Sequence, residues 1–290
     1  MIDLHCHTTY SDGVCETEDL IREAIAFGLE AIAITDHDNV SSFDLAVAAA
    51  KDAAIELIPG IEINTVWVDE DHGIEGQEVH VLGFYIDRQH PALQAVIQNH
   101  QCARNTQMQA FAQSLNTTAK LSISYDALRN SPTAKGSLGR PHLAAEIVRQ
   151  GGAKDIGEAF QKYLKRHCHG YVRRKTVSPH AAVEAIYESG GIPVIAHPGD
   201  MPKLETLVIE LMDYGLRGLE AYHKSHHPGL IEYHCTLAEK HGLIVTGGTD
   251  YHGAAEGYQH ALKRLHTPAY VYTELKAERD RRKRASFKVS

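Results

Sequence analysis

The stretch that decides the fold prediction is MIDLHCHTTYSDG, residues 1–13. Its first half alternates apolar and polar residues, which is the period-2 pattern of a short strand. On such a strand His5 and His7 point to one side of the sheet, and Cys6 points to the other. The Ser-Asp-Gly that follows predicts a turn that returns the Asp12 carboxylate toward the two imidazoles. The stretch therefore predicts part of a metal site, whose missing ligands the rest of the chain must supply.

Beyond this stretch, apolar runs and helical segments alternate along the chain. Further strands are predicted at residues 29–34, 55–63, 78–86, 192–196, 218–222 and 243–247, with a polar, acidic loop at 66–77. Helices are predicted between the strands, and the clearest one follows Ser178 and Pro179, which suit the N-cap and the first position of a helix. This rhythm predicts parallel strands with helices outside. Seven strands favour an α/β fold of the distorted (β/α)7 barrel type over a regular eight-stranded barrel.

Residues 91–175 break this rhythm. They are polar and helix-like, rich in Gln, Asn, Ala and Arg, and contain no strong strand run. We interpret them as a small helical insert domain, and residues 1–90 and 176–290 as the barrel domain. The charged segment after Thr273 is interpreted as a solvated terminal helix rather than an RNA contact.

The composition argues against several classes of protein. Of the 290 residues, 43% are hydrophobic and 23% are charged, which is typical of a soluble globular protein. No apolar run approaches the ~20 residues of a membrane span, and the first residues do not resemble a signal peptide. The net charge of −8 argues against a general nucleic-acid coat. Five scattered cysteines without C-x-x-C spacing argue against a zinc–thiolate site and indicate a reducing compartment. We therefore expect a cytoplasmic protein that avoids membranes, and no obligate protein partner is evident.

The predicted barrel strands end in histidines and carboxylates, and catalytic groups of barrels lie at such strand ends. Buried ionisable groups must be paired or bound to a metal, because leaving them unpaired costs several kcal/mol each. Nine nitrogen and oxygen ligands suit two or three ions, with Glu62 as a bridging carboxylate. Without thiolates, the set favours Mn²⁺, Fe or Zn²⁺ in a reactive centre over a structural zinc. The nine candidate ligands are His5, His7, Asp12, His37, Glu62, His80, His197, Asp250 and His252.

Six motifs resemble those of the PHP (polymerase and histidinol phosphatase) family, in the order in which that family has them. They are DLHCHTTYSDG at residues 3–13, ITDHD at 34–38, PGIEI at 59–63, EVHVLG at 78–83, AHPG at 196–199 and TDYH at 249–252. The resemblance covers the chain outside the insert and implies a distorted (β/α)7 barrel, the PHP fold, with a trinuclear centre of divalent ions, Mn²⁺ before Fe or Zn²⁺.

The resemblance also implies how the nine ligands divide among three ions. It gives His5, His7, Glu62 and Asp250 to the first ion, Glu62, His80 and His197 to the second, and Asp12, His37 and His252 to the third. Many family members have histidine where this chain has Asp12. The third ion is therefore expected to be more labile or to be a harder cation.

The insert narrows the resemblance to one branch of the family. GRPH at residues 139–142 and FQKYL at 160–164 resemble stand-alone bacterial PHP proteins that act on nucleotide 3′,5′-bisphosphates, with relatives called RNase AM that trim RNA from its 5′ end. Arg140 lies at a predicted helix N-terminus, which favours an anion, and its guanidinium can hold phosphate bidentately. We interpret the insert as a basic lid over a doubly phosphorylated substrate, with candidate substrate contacts at Arg140, His142, Lys162 and His223. The residues that make the insert locally basic are Lys162, Lys165, Arg166, Arg173, Arg174 and Lys175. For the individual lysines, a solvated helix face is an equal alternative.

The predicted activity is metal-dependent hydrolysis of the 3′-phosphate of a nucleoside 3′,5′-bisphosphate, which leaves the 5′-mononucleotide. A 5′→3′ exonuclease on short 5′-phosphorylated RNA would use the same geometry. The candidate catalytic groups are Asp250, His223 and Arg140. His223 either contacts substrate as the acid for the leaving oxygen or only supports a ligand. The other histidines are expected to lie on the surface, namely His72, His90, His100, His234, His241, His260 and His266.

Two alternatives remain. A histidinol-phosphate phosphatase is the nearest enzyme alternative, but a substrate with one phosphate has no evident need for Arg140 and a basic insert. A non-catalytic metal-binding module, like PHP domains kept for structure in DNA polymerases, is the alternative from another class. Such modules can lose ligands without penalty, whereas here every expected ligand position is filled.

Overall fold

The computed structural model describes residues 1–69, 73–130, 138–165, 167–168, 171–172, 174–253, 257–265 and 267–286. Its centre is one seven-stranded sheet in which the strands lie side by side in chain order. The strands are β1 Ile2–Cys6, β2 Ala31–Ile34, β3 Glu56–Asp69, β4 Ile74–Phe84, β5 Ile192–Ile195, β6 Gly218–His223 and β7 Ile244–Gly248. A parallel bridge between Cys6 and Tyr251 links β1 to the chain beyond β7. The sheet is therefore a nearly closed barrel, which confirms the predicted seven-stranded fold.

Helices surround the barrel and build the insert. They are α1 Thr17–Phe27, α2 Phe43–Ala49, α3 Pro91–Thr118, α4 Tyr125–Arg129, α5 Arg140–Arg149, α6 Ile156–Ala159, α7 Pro179–Glu188, α8 Leu204–Met212, α9 Pro228–Lys240, α10 Tyr258–Arg264 and α11 Ala269–Ser286, with a π-helical turn at Phe160–Leu164. The Ser178 hydroxyl accepts a hydrogen bond from the backbone N–H of Ala181 at the start of α7, and Pro179 follows it. Within the described residues, no helix combines the length and apolar character that crossing a membrane requires.

The prediction of uniformly parallel strands is wrong around β4. This strand runs antiparallel to both β3 and β5, while the other neighbouring pairs are parallel. The predicted acidic loop at 66–77 is also wrong, because most of it continues β3 and β4 as a hairpin; residues 70–72 lie outside the described part. The physical reason is that a short connection can join only antiparallel strands, since parallel strands need a long crossover. Trp67 is 1% exposed, and its burial anchors the hairpin.

Of the three apolar clusters in the described residues, two connect the barrel to the insert. The larger cluster lies between the sheet and its helices and includes Phe84, Ile186 and Leu219. The second lies within the insert and is built from residues such as Phe111 and Leu143. The 28-residue helix α3 joins them, because its first turns pack in the barrel cluster and its later turns pack in the insert cluster. At 1.5 Å per residue this helix is about 42 Å long, enough to carry the insert across the strand ends.

Candidate metal centre

All nine candidate ligands lie together at one end of the barrel. His5 lies on β1, Glu62 on β3 and His80 on β4, while the others lie in the loops that follow β1, β2, β5 and β7. They form four overlapping groups, and within each group the ligand atoms lie within 4.8 Å of one another. The groups are His7, Asp12, His37 and His252; His5, Glu62 and His197; His5, His7 and Asp250; and His37, Glu62 and His80.

Glu62 is the common member of this arrangement. Its Oε2 lies 3.3 Å from His5 Nε2, 3.1 Å from His7 Nε2 and 3.0 Å from His37 Nδ1. Its Oε1 lies 2.9 Å from His80 Nδ1 and 3.0 Å from His197 Nε2. One fully buried carboxylate thus faces five imidazoles from four segments of the chain, two of them from the stretch that holds His5 and His7. That is the geometry a bridging carboxylate between two cations requires.

Two further carboxylates complete the ligand set on either side of His7. Asp250 Oδ1 lies 3.3 Å from His7 Nε2 and 3.6 Å from His5 Nε2. Asp12 Oδ1 lies 3.2 Å from His252 Nε2, and its Oδ2 lies 3.7 Å from His37 Nε2. The turn predicted at Ser11-Asp12-Gly13 does return the Asp12 carboxylate to the histidines.

The electrostatics of the centre call for cations. Burial would raise the pKa of Glu62, but the neighbouring His37 and His5 hold that pKa well below its usual range. Burial lowers the pKa of His37 to about 3, although Glu62 and Asp12 oppose this shift. For His80 burial also acts downward, but Glu62 prevails and raises the pKa to about 10. The carboxylates thus remain charged and draw positive charge into a buried site, whether as protons or as metal ions.

Atoms without good hydrogen bonds show that divalent ions fit this site. Glu62 Oε2, Asp12 Oδ1 and His80 Nε2 are buried and have ion-pair contacts, but none of them has a hydrogen bond of good geometry in the described structure. Such atoms are costly to leave without good hydrogen bonds, and imidazole nitrogens and carboxylate oxygens are the atom types that bind divalent cations. The donor set contains imidazoles and carboxylates without a thiolate, which is the set expected for Mn²⁺, Fe or Zn²⁺.

The backbone is adapted to bring the ligands this close. His197 and Asp250 have positive φ values of 24° and 47°, a conformation that L residues rarely adopt. Gly248 lies against β1, where an added Cβ would come within 2.4 Å of His5 Cβ. Gly13 lies against the same loop, where an added Cβ would come within 2.6 Å of the His7 carbonyl oxygen. Only glycine fits these two positions without moving a ligand.

Three buried carboxylates support the ligands, and sequence reasoning missed this role. Glu220 Oε1 lies 2.9 Å from His5 Nδ1, and Glu220 Oε2 accepts the backbone N–H of His197 at 2.8 Å. Asp36 accepts hydrogen bonds from Thr8, Ser11 and Ser42. Asp3 accepts hydrogen bonds from Thr249 and Tyr258. For Asp3 and Glu220 the available signal was an acidic residue inside an apolar strand, since such a group must find partners when it is buried.

His223 and Lys224 lie beside Asp250. His223 Nε2 lies 3.2 Å from Asp250 Oδ2, and its Nδ1 lies 2.7 Å from Ser225 Oγ. Lys224 Nζ lies 2.9 Å from Asp250 Oδ2. His223 is therefore adjacent to the ligand set, and both the acid role and the supporting role remain compatible with its position.

A cavity of about 310 Å³ connects the centre to the insert. On the barrel side it is lined by Asp12, His37 and His80, and on the insert side by Arg104, Arg140 and Arg174. Arg104 Nη2 and Arg174 Nη1 lie 2.5 Å and 3.3 Å from Asp38 Oδ2. Three guanidinium groups thus line this cavity, which we call the arginine cavity, together with the carboxylates of Asp12 and Glu78. Arg104 was not predicted, and Arg174 was predicted only as one member of a basic stretch.

The remaining predicted substrate contacts lie elsewhere. His142 Nδ1 accepts the backbone N–H of Gly139 at 3.1 Å, and the residue lines a groove between the insert and the β1–α1 loop that shares Asp12 and Pro141 with the arginine cavity. Lys162 forms an ion pair with Glu158 at 2.7 Å and does not line the arginine cavity. Lys165 and Lys175 are exposed, while Arg166 and Arg173 lie outside the described residues.

The prediction that the other histidines lie on the surface is wrong for two of them. His100 is 1% exposed because it packs against Asp38, and His234 is fully buried because its Nε2 donates to the Gly199 carbonyl at 2.9 Å. His72 and His266 lie outside the described residues. In both buried cases a polar partner on another segment compensates for the loss of water.

Comparisons with known proteins agree with this geometry. A model of the PHP domain matches residues 3–171. The chain is 33% identical over 260 residues to the 5′-3′ exoribonuclease Rnm of Salmonella typhimurium, covering 86% of this chain and 84% of that protein. It is 32% identical over 260 residues to the 3′,5′-nucleoside bisphosphate phosphatase of Chromobacterium violaceum, covering 88% of both. The solved structure of an amidohydrolase from Chromobacterium violaceum, with bound sulfate and no metal, superposes with a TM-score of 0.77 at 29% identity, covering 92% of this chain and 98% of that one.

Proposed function

The chain belongs to the PHP domain family, and from that premise we propose that it is a metal-dependent phosphoesterase that removes the 3′-phosphate from nucleoside 3′,5′-bisphosphates. We include in the proposal a 5′→3′ exonuclease activity on short 5′-phosphorylated RNA. The two relatives named for these activities support it, because each aligns with most of this chain. The observation that carries the proposal is the arginine cavity, which meets the candidate ligands at Asp12, His37 and His80.

The ligand geometry supports three cation positions. The first would be held by His5, His7, Glu62 and Asp250, the second by Glu62, His80 and His197, and the third by Asp12, His37 and His252. Bound cations supply Lewis acidity toward the phosphoryl oxygens and a hydroxide nucleophile at neutral pH. Mn²⁺ is the proposed ion, with Fe or Zn²⁺ as alternatives, because the ligands are imidazoles and carboxylates.

The arginine cavity would hold the phosphate that is not cleaved. Arg104 and Arg174 are already oriented by Asp38, so little side-chain entropy is lost when they bind an anion. Burial lowers the pKa of Arg174 to about 10, a shift that nearby Arg104 reinforces, and the group therefore stays charged at neutral pH. Phe160 and Tyr171 also line the cavity, and they offer apolar ring surface to a nucleoside.

His223 is the proposed acid for the leaving 3′-oxygen. Its Nδ1 is held by Ser225, which leaves Nε2 facing the ligand set at Asp250. A proton at Nε2 would pass to the 3′-oxygen as the bond between that oxygen and phosphorus breaks. If His223 instead only orients Asp250, replacing His223 should lower the affinity for metal and leave the pH profile of kcat unchanged.

The insert and the cellular location complete the proposal. Residues 91–175 would form a lid domain, because α3 carries a separate apolar cluster over the strand ends. The five cysteines are unpaired, which supports a reducing compartment such as the cytoplasm.

The test is a turnover assay with Mn²⁺ on adenosine 3′,5′-bisphosphate, histidinol phosphate and a short 5′-phosphorylated RNA. We expect the bisphosphate to give the highest kcat/KM, because it alone fills both the centre and the arginine cavity as a small molecule. Preference for histidinol phosphate would instead identify a phosphatase that leaves the arginines without a partner. If metal-loaded protein turned over none of these substrates, the chain would be a non-catalytic metal-binding module, even though its candidate ligand set is complete.

A further inference from the structure

A second cavity adjoins the metal centre from another side. It has a volume of about 600 Å³ and touches the ligand set at Asp250 and His252. Its outer wall carries Lys224, His260 and Arg264, and we call it the Arg264 cleft. Among the described residues, it shares no lining residue with the arginine cavity, which touches the centre at Asp12, His37 and His80. The Arg264 cleft therefore gives access to the centre on the side of Asp250 and His252, apart from the arginine cavity.

The wall of the Arg264 cleft is tied to the ligands. Tyr258 at the start of α10 is fully buried, and its hydroxyl donates to Asp3 Oδ2 at 2.9 Å. The same carboxylate accepts from the Thr249 hydroxyl at 2.6 Å, just before Asp250. In the next turn of the helix, the side chain of Leu262 is also buried. Helix α10 thus holds Arg264 at a set distance from the centre instead of carrying it on a loose segment.

A nucleoside 3′,5′-bisphosphate has no group that would occupy the Arg264 cleft, but an RNA substrate needs a second cleft for the rest of its chain. In a 3′,5′-bisphosphate the phosphate on the metals is a monoester with no further substituent. In RNA one of its oxygens is esterified to the 5′ carbon of the next nucleoside. With the first nucleotide in the arginine cavity, this second nucleotide must leave the centre through a different opening.

We propose that the Arg264 cleft binds the second nucleotide of a 5′-phosphorylated RNA, and that Arg264 and His260 contact the phosphate that follows it. This inference rests on the proposed function. Lys224 Nζ lies 2.9 Å from Asp250 Oδ2 and marks the point where the cleft meets the centre. Arg264 lies in the last turn of α10 and is exposed to solvent, so an incoming phosphate can reach it. Proteins bind the phosphodiester backbone of nucleic acids largely through cationic side chains, and the Arg264 cleft carries such side chains next to the centre.

Hydrolysis of RNA at this subsite consumes one water molecule and no other reactant. The oxygen of a water molecule bonds to phosphorus, and the bond from phosphorus to the 3′-oxygen of the first nucleotide breaks. That 3′-oxygen takes a proton from His223, the acid proposed above, and the proton that the water loses restores the protonated His223 for the next turnover. The phosphate stays on the second nucleotide as a new 5′-phosphate, so the shortened chain has the same kind of 5′ end as the substrate.

The test compares two substrates that share their first nucleotide, adenosine 3′,5′-bisphosphate and the trinucleotide pApApA. The variants are Arg264→Ala and Arg264→Lys, with Lys263→Ala as the matched control, because Lys263 is an exposed neighbour in the same turn and does not line the cleft. We expect Arg264→Ala to lower kcat/KM for release of the first AMP from pApApA about tenfold, chiefly through KM. Bisphosphate turnover should stay within twofold, Arg264→Lys should recover most of the loss, and Lys263→Ala should change neither substrate.

Each contrary outcome has one meaning. Wild-type protein that cleaves the bisphosphate but not pApApA would overturn the subsite and leave the proposed function intact. The subsite is also overturned if Arg264→Ala leaves pApApA turnover unchanged, lowers both substrates equally, or has the same effect as Lys263→Ala. Wild-type protein that cleaves neither substrate would overturn the proposed function itself, and the subsite with it.

Discussion

Replacing Arg104 with methionine tests whether the arginine cavity holds the second phosphate of the substrate. The variant keeps most of the apolar stem of the side chain and removes the guanidinium. A hydrogen-bonded contact to a charged group contributes about 1.5–3 kcal/mol. This corresponds to a fall of roughly 10- to 100-fold in kcat/KM for adenosine 3′,5′-bisphosphate. Adenosine 3′-monophosphate lacks the phosphate in question, so its kcat/KM should change by less than about threefold.

The stability of the same variant follows from the contacts that remain around Asp38. Removing one partner of a buried ion pair costs about 3–5 kcal/mol when the other charge is left alone. Here Arg174 Nη1 stays 3.3 Å from Asp38 Oδ2, and His100 Nδ1 stays 3.1 Å from Asp38 Oδ1. We therefore expect a loss of about 2 kcal/mol in the free energy of unfolding, measured by urea titration, with the protein still folded.

The control is Arg149→Met, which removes an equal charge from an exposed ion pair with Glu146 on the insert. It should leave kcat/KM for both substrates near the wild-type value. Equal losses on the bisphosphate and on the 3′-monophosphate in Arg104→Met would show that Arg104 acts on the centre as a whole. That result, or no loss on either substrate, would refute the assignment of the second phosphate to this cavity.

Three other changes have defined outcomes. Asp250→Asn should abolish turnover while the circular dichroism spectrum and unfolding transition stay near wild type; full activity at normal metal content would contradict the centre. Glu220→Gln should weaken metal affinity about 10- to 100-fold, measured by metal titration, because His5 loses its orienting carboxylate; unchanged affinity would show that the carboxylate is dispensable. Burial opposes ionisation of Asp38, but Arg104 holds its pKa well below the usual 3.8. Its contribution to stability should therefore be complete above that pH and fall as the pH drops from 3.8 toward the lowered pKa. Urea titrations of wild type and Asp38→Asn across this range check the sign; a difference that grows on acidification would contradict it.

Local pattern was sufficient for the ligands but not for their supports. His5 and His7 could be paired from a two-residue spacing, because a strand places such side chains on one side. Glu220 has the same strand periodicity, yet its role depends on contacts with His5 and with the backbone of His197, which come from other strands. Periodicity states which face a side chain occupies and not what it meets there. The sequence therefore indicated only that the supporting carboxylates would need a partner if they were buried, and it did not indicate which partner.

The sequence by itself determined the number of strands and which residues are candidate ligands, because both depend on short-range periodicity and on the chemistry of residues at strand ends. Tertiary structure decided the direction of β4, where a direct hairpin replaces a crossover helix. It also decided the arginine cavity, since Arg104 reaches Asp38 across 66 residues of sequence. Such pairings depend on how a long helix crosses the barrel, and that crossing is set by the packing of two apolar clusters. The stretch at residues 1–13 thus predicts a centre, while the fold decides which charges surround it.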